Sequence, residues 1–93
     1  MRKIEEQMLN AVVAQANWTL GNTSVYFSEH LKRSEVFLHG HKLGAYYHQM
    51  GSFNVHQPTL KAYPTNTTKS RLRALGVNVS TRKGVTYLND RAI

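Results

Sequence analysis

The chain has 93 residues, 41% of them hydrophobic, and carries a formal charge of +7 from 12 Lys and Arg against 5 Asp and Glu. This length supports one domain spanning residues 1–93 with a single modest core, and the apolar fraction is that of a folded chain. The lack of cysteine excludes disulfide scaffolds, iron–sulfur clusters, Cys-containing zinc sites and thiol chemistry.

The N-terminus reads Met-Arg-Lys-Ile-Glu-Glu-Gln. It lacks the apolar stretch of a signal peptide, and no run approaches the ~20 apolar residues of a membrane helix. A cytoplasmic protein with no membrane role is expected. Residues 3–15 predict a helix, because Ile4, Met8, Ala11 and Val12 recur at the spacing of one face. Glu5 and Glu6 fall in its first turn, where carboxylates favour the positive helix end. Trp18 is expected to pack over the helix end. Gly21-Asn22 signals a turn into a strand over 23–28, and residues 29–35 read as a loop. Strands follow over 35–39, 41–48 and 53–56, broken at Gly40 and Gly51. Pro58 is placed at a strand edge or bulge, with extended chain resuming over 59–63. The residues expected to form the core face are Val25, Phe27, Val36, Leu38, Phe53 and Val55. Tyr46 and Tyr47 are adjacent, so one must face away from the core.

The densest segment lies further on. Six of the 12 cations fall between Lys69 and Arg91, and residues 36–93 hold eight basic residues against Asp90 alone. A helix is expected from about Thr67, capped by Thr65 or Asn66 and stopped by Gly76. Thr68, Leu72 and Leu75 would form its core side, and Asn66, Ser70 and Arg73 its free side. Val77 and Val79 then lead into a hairpin through Arg82-Lys83-Gly84, and Val85, Tyr87 and Leu88 return. The predicted fold class is α+β: an N-terminal helix, an antiparallel sheet of four to five strands, then a second helix and a C-terminal β-hairpin.

Enzyme signatures are missing: there is no Gly-rich phosphate loop, no His-Glu-x-x-His and no Gly-x-Ser-x-Gly. The carboxylates offer no close pair beyond Glu5 and Glu6, which adjacent helix positions turn to different faces. His39, His41, His48 and His56 could approach one another. With no Asp or Glu between Val36 and Asn89 to orient them, no native metal site is expected. No cofactor and no catalytic residue are assigned. A one-sided basic field attracts polyanions. The candidate nucleic-acid contacts are Asn66, Lys69, Ser70, Arg71, Arg73, Arg82 and Lys83, which combine phosphate-binding cations with polar groups suited to base edges.

Two resemblances bear on these expectations. The run from Thr67 to Leu88, with its capped helix ending in Leu-Gly-Val and its Lys-Gly hairpin turn, resembles the recognition helix and wing of winged-helix DNA-binding domains. In such a domain the preceding helix would fall near residues 53–62, a segment that reads here as strand. The series Lys-Ile-Glu-Glu-Gln-Met (3–8), Trp-Thr-Leu-Gly-Asn-Thr (18–23), Phe-Leu-His-Gly (37–40) and Thr-Lys-Ser-Arg-Leu-Arg-Ala-Leu-Gly-Val (68–77) resembles small accessory proteins of tailed bacteriophages. That resemblance implies a protein made in the bacterial host cytoplasm and transfers no site residues. The expected function is a non-catalytic nucleic-acid-binding phage accessory protein, with DNA ahead of RNA as partner. The alternative is a protein-directed inhibitor or adaptor that binds a host nucleic-acid-processing or defence complex.

Overall fold

The computed structural model describes residues 1–93. Helix α1 (Lys3–Val13) precedes a five-stranded antiparallel meander: β1 (Trp18–Leu20), β2 (Thr23–Ser28), β3 (Arg33–Leu38), β4 (His41–Tyr47) and β5 (Ser52–Val55). Helices α2 (Gln57–Ala62) and α3 (Asn66–Ala74) follow. A second antiparallel sheet, β6 (Val79–Arg82), β7 (Val85–Leu88) and β8 (Arg91–Ala92), completes the α+β fold. No helix is long and apolar enough to cross a membrane.

The apolar stripe of α1 lays Met8, Ala11 and Val12 on the sheet, and Gln15 at φ 54 ends the helix two residues before the expected limit. Trp18 opens β1, pairs with Val25 and packs against the core beside α1. Period-two alternation explains β3, whose Ser34, Val36 and Leu38 are buried while Arg33, Glu35 and Phe37 lie on the other face. Val25, Val36 and Leu38 join the core as expected, with Phe53 and Val55 packed partly buried against it. Phe27 is also partly buried and meets the ring of His48 edge-on at 5.6 Å. Of the adjacent tyrosines, Tyr46 packs on the core and Tyr47 lies under the Arg33 guanidinium.

The main correction falls on residues 57–63. The expected extended segment is helix α2, with Pro58 in its first turn. An amide is unbonded there in any case, so proline fits without loss. The His56 Nδ1 and Thr59 hydroxyl share a 2.9 Å hydrogen bond across that turn, and Leu60 is fully buried in the core. Only Tyr63, held by Pro64 behind it, leaves helical geometry. The fifth strand of the meander is therefore β1, and β8 adds a third strand to the expected C-terminal hairpin. β3 also starts at Arg33, inside the segment expected to be loop.

The register of β4 shifts at a bulge: Val36 faces Gly44 while Phe37 faces Lys42, which leaves Leu43 as the extra residue, buried in the core. A Cβ on Gly44 would overlap the Asn54 carbonyl oxygen and the Phe53 ring, so β5 can approach β4 only because this position is glycine. β1 and β5 are left as the open edges of the meander. The prediction is that Gly44→Ala separates β5 from β4 and destabilises the fold by about 1–3 kcal/mol. Urea denaturation measures this, and a wild-type midpoint for the variant would refute the close-approach argument.

Candidate nucleic-acid interface

Helix α3 begins where expected. The Thr65 side chain accepts a hydrogen bond from the Thr68 amide at 3.1 Å, and Gly76 at φ +88 follows its end. Thr68 and Leu72 are buried, and Leu75 packs partly buried on the core. The helix lies against both α1 and β6, so it has two covered sides and little free surface. That arrangement divides the seven candidate contacts.

Arg71 is turned inward and is 3% exposed. Its Nη1 donates to Glu5 Oε2 at 2.8 Å, and its Nε donates to the Thr23 hydroxyl at 3.1 Å. Ser70 donates to the same Glu5 oxygen at 2.7 Å. Lys69 is also buried, with its ammonium on the Thr81 hydroxyl of β6. These three residues join α3 to α1, β2 and β6, so their polar groups are committed within the fold. Asn66 is exposed at the helix start. Arg73 is exposed, and its Nε donates to the Val79 carbonyl at 2.9 Å, which ties the helix end to β6.

The hairpin keeps its cations outside. Lys83 and Gly84 both have positive φ (51 and 78), the geometry of a two-residue turn whose twist matches the strands. On β6 and β7, the inner face carries Val79, Leu88 and Thr86, and the outer face carries Arg82 and Tyr87. The Arg82 guanidinium lies 4.8 Å from the Tyr87 ring centroid and meets Asp90 at 3.2 Å. Both members of that ion pair are more than half exposed. Arg91 on β8 is exposed too, as is Lys61 in the last turn of α2.

Burial of Lys69 and Arg71 leaves 10 cations outside, and burial of Glu5 leaves 4 carboxylates. The surface excess is therefore +6. From residue 57 onwards, Lys61, Arg73, Arg82, Lys83 and Arg91 stand against Asp90, which gives +4 of that excess. The histidines go to separate partners: His48 shares a 2.7 Å hydrogen bond with buried Ser34, His56 bonds Thr59, and His41 stacks on Tyr63. No group of three or more His, Asp or Glu side chains comes together.

Lys61, Arg91, Tyr63 and Tyr87 were not among the expected contacts. The inward turn of Arg71 and Glu5 does have a sequence signal. Arg71 is three residues after Thr68 and four before Leu75, and Glu5 is three before Met8 and seven before Val12. Both therefore sit on the apolar stripes. Burial opposes ionisation of Glu5, but hydrogen bonds from Ser70, Arg71 and the Arg2 amide, with the Arg71 charge, outweigh it and lower its pKa below 4.5.

A carboxylate with a lowered folded-state pKa adds stability that is complete above its unfolded value and is lost as the pH falls through the folded one. Acidification from about pH 5 to about pH 3 should therefore destabilise the wild type more than Glu5→Gln. Glu5→Ala, which leaves Arg71 buried without its partner, should cost about 3–5 kcal/mol at neutral pH. Chemical denaturation at each pH reads both effects. A loss under about 1 kcal/mol for Glu5→Ala would show that the pair is not structural.

No curated protein and no solved structure matches the chain. The resemblance to tailed-phage accessory proteins, carried by motifs spread from Lys3 to Val77, is borne out by a match that covers the full length. All 93 residues, 1–93, fit the family model described as Kyanoviridae Gp96 protein, and the chain belongs to that phage protein family.

Proposed function

We propose that this phage protein binds nucleic acid without catalysis, through the β6–β7 turn and the exposed cations beside it. The observation that carries this reading is the +4 concentrated on residues 57–93 after the buried ions are removed. Arg73, Arg82, Lys83 and Arg91 have the chemistry to neutralise phosphates, and Arg82 stacked on Tyr87 is held outward for that purpose. The order α2, α3, then a hairpin with a Lys-Gly turn supports the winged-helix resemblance in its wing. The wing keeps both of its cations at the surface, Arg82 beside Asp90 and Lys83 unpaired, whereas Lys69 and Arg71 of α3 are spent inside the fold. DNA in the host cytoplasm is the proposed target.

Binding to a fluorescent DNA duplex should weaken steeply as salt rises, with a log–log slope near −0.9 for each phosphate neutralised. The variant Arg82→Ala/Lys83→Ala/Arg91→Ala should bind more weakly, and its slope should be shallower by about 0.9 for each phosphate that it no longer neutralises. An unchanged slope, or no wild-type binding at low salt, would overturn the proposal. A second reading, an inhibitor or adaptor of a host protein complex, is favoured by the apolar groove lined by Leu9, Val12, Val13, Tyr46, Ala74 and Leu75. It predicts a stoichiometric protein complex that survives nuclease treatment.

A further inference from the structure

A second surface lies where the α2–α3 connection meets the β3–β4 turn. Tyr63 stacks on His41 with ring centroids 4.4 Å apart and an interplanar angle of 26°. The pair borders a cavity of about 400 Å³ between Leu38 and Leu43 on one side and Thr59 and Thr67 on the other, a size within the usual range of small-molecule sites. Almost half of Tyr63 remains exposed (45%). Pinning the connection to β4 needs only apolar contact, whereas a half-open aromatic stack beside a cavity offers a π-face to a planar guest. Lys61, exposed two residues before Tyr63, has no carboxylate within ion-pair distance.

We infer that the His41–Tyr63 pair is a stacking platform for an unpaired nucleobase, with Lys61 on the adjoining phosphate. The ligand class is a single strand, since a base inside a duplex already has both faces covered. The inference rests on the nucleic-acid reading above and adds a second contact region to it. The cavity adjoins the start of α3. Strand β6 runs back along that helix, from Val79 at Arg73 to Thr81 at Lys69, so the Arg82–Gly84 turn points back towards the same helix end and one strand can reach both.

The test compares a fluorescent oligothymidylate of about 12 nucleotides, within the site sizes of single-strand binders, with an abasic phosphodiester strand of equal length. Wild-type protein should bind the base-bearing strand at least about tenfold tighter. Tyr63→Ala should bring the two affinities together, and Tyr63→Phe should keep the preference. Equal wild-type affinity for both strands, or a preference that survives Tyr63→Ala, would overturn the platform. Equal and salt-dependent binding would remove the platform and leave the wing standing, and no binding to either strand at low salt would also remove the platform, with the wing then judged by the duplex titration. The wild-type comparison decides the matter even if a variant fails to fold, and thermal melting reports on that directly.

Discussion

The contact between Glu5 and Arg71 joins the first helix to the third across 66 positions of sequence. Both side chains are 4% exposed or less. Such a pair contributes little net free energy, because desolvating two charges nearly offsets their attraction. Its effect is on specificity. Glu5 also receives Ser70 and the Arg2 amide, and Arg71 also reaches Thr23 on β2. Sliding α1 by one turn, or rotating α3 by one residue, would strand a buried charge. The pair thus fixes how α1, β2 and α3 meet, and the orientation of α3 in turn positions β6 through Lys69 on Thr81 and Arg73 on Val79. The proposed binding surface depends on that chain of contacts, although none of the core charges belongs to it.

Local signals made much of this fold legible. The alternation in β2 and β3, the glycine stop after α3 and the Lys83-Gly84 turn each reflect a backbone requirement confined to a few residues. Helix α2 was not legible, because its six residues show no periodicity and Pro58 fits a strand edge as readily as a first helical turn. What decides between them is Leu60, which is fully buried in the core that the meander and α1 form. Strand β1 was missed for a similar reason. Three residues become a strand only because β2 offers a partner, with Thr19 facing Ser24.

The candidate site was legible by composition and less so by direction. Charge density singles out the C-terminal unit, but density does not reveal which way a cation points. The position of Arg71 on the apolar stripe of α3 marked it as internal. To read the stripe that way requires a buried carboxylate to receive it, and Glu5 lies almost the full length of the chain away. The aromatic contacts, Tyr63 on His41 and Arg82 over Tyr87, join turns and strand faces whose juxtaposition is a product of the tertiary fold.

The open edges of the meander have a bearing on how this molecule behaves in company. β1 and β5 present unpaired backbone groups, and β1 carries half-exposed Leu20 beside them. Strand edges of this kind invite pairing with other copies. A surface excess of like charge holds copies apart, and that repulsion weakens within a Debye length of about 8 Å at physiological salt. The cations proposed to draw in a polyanion therefore also keep the edges from meeting. Neutralising them with salt leaves short edges and little else to oppose self-association, and on the proposed reading a bound strand would do the same, so ligand occupancy and colloidal behaviour would be governed by one set of charges.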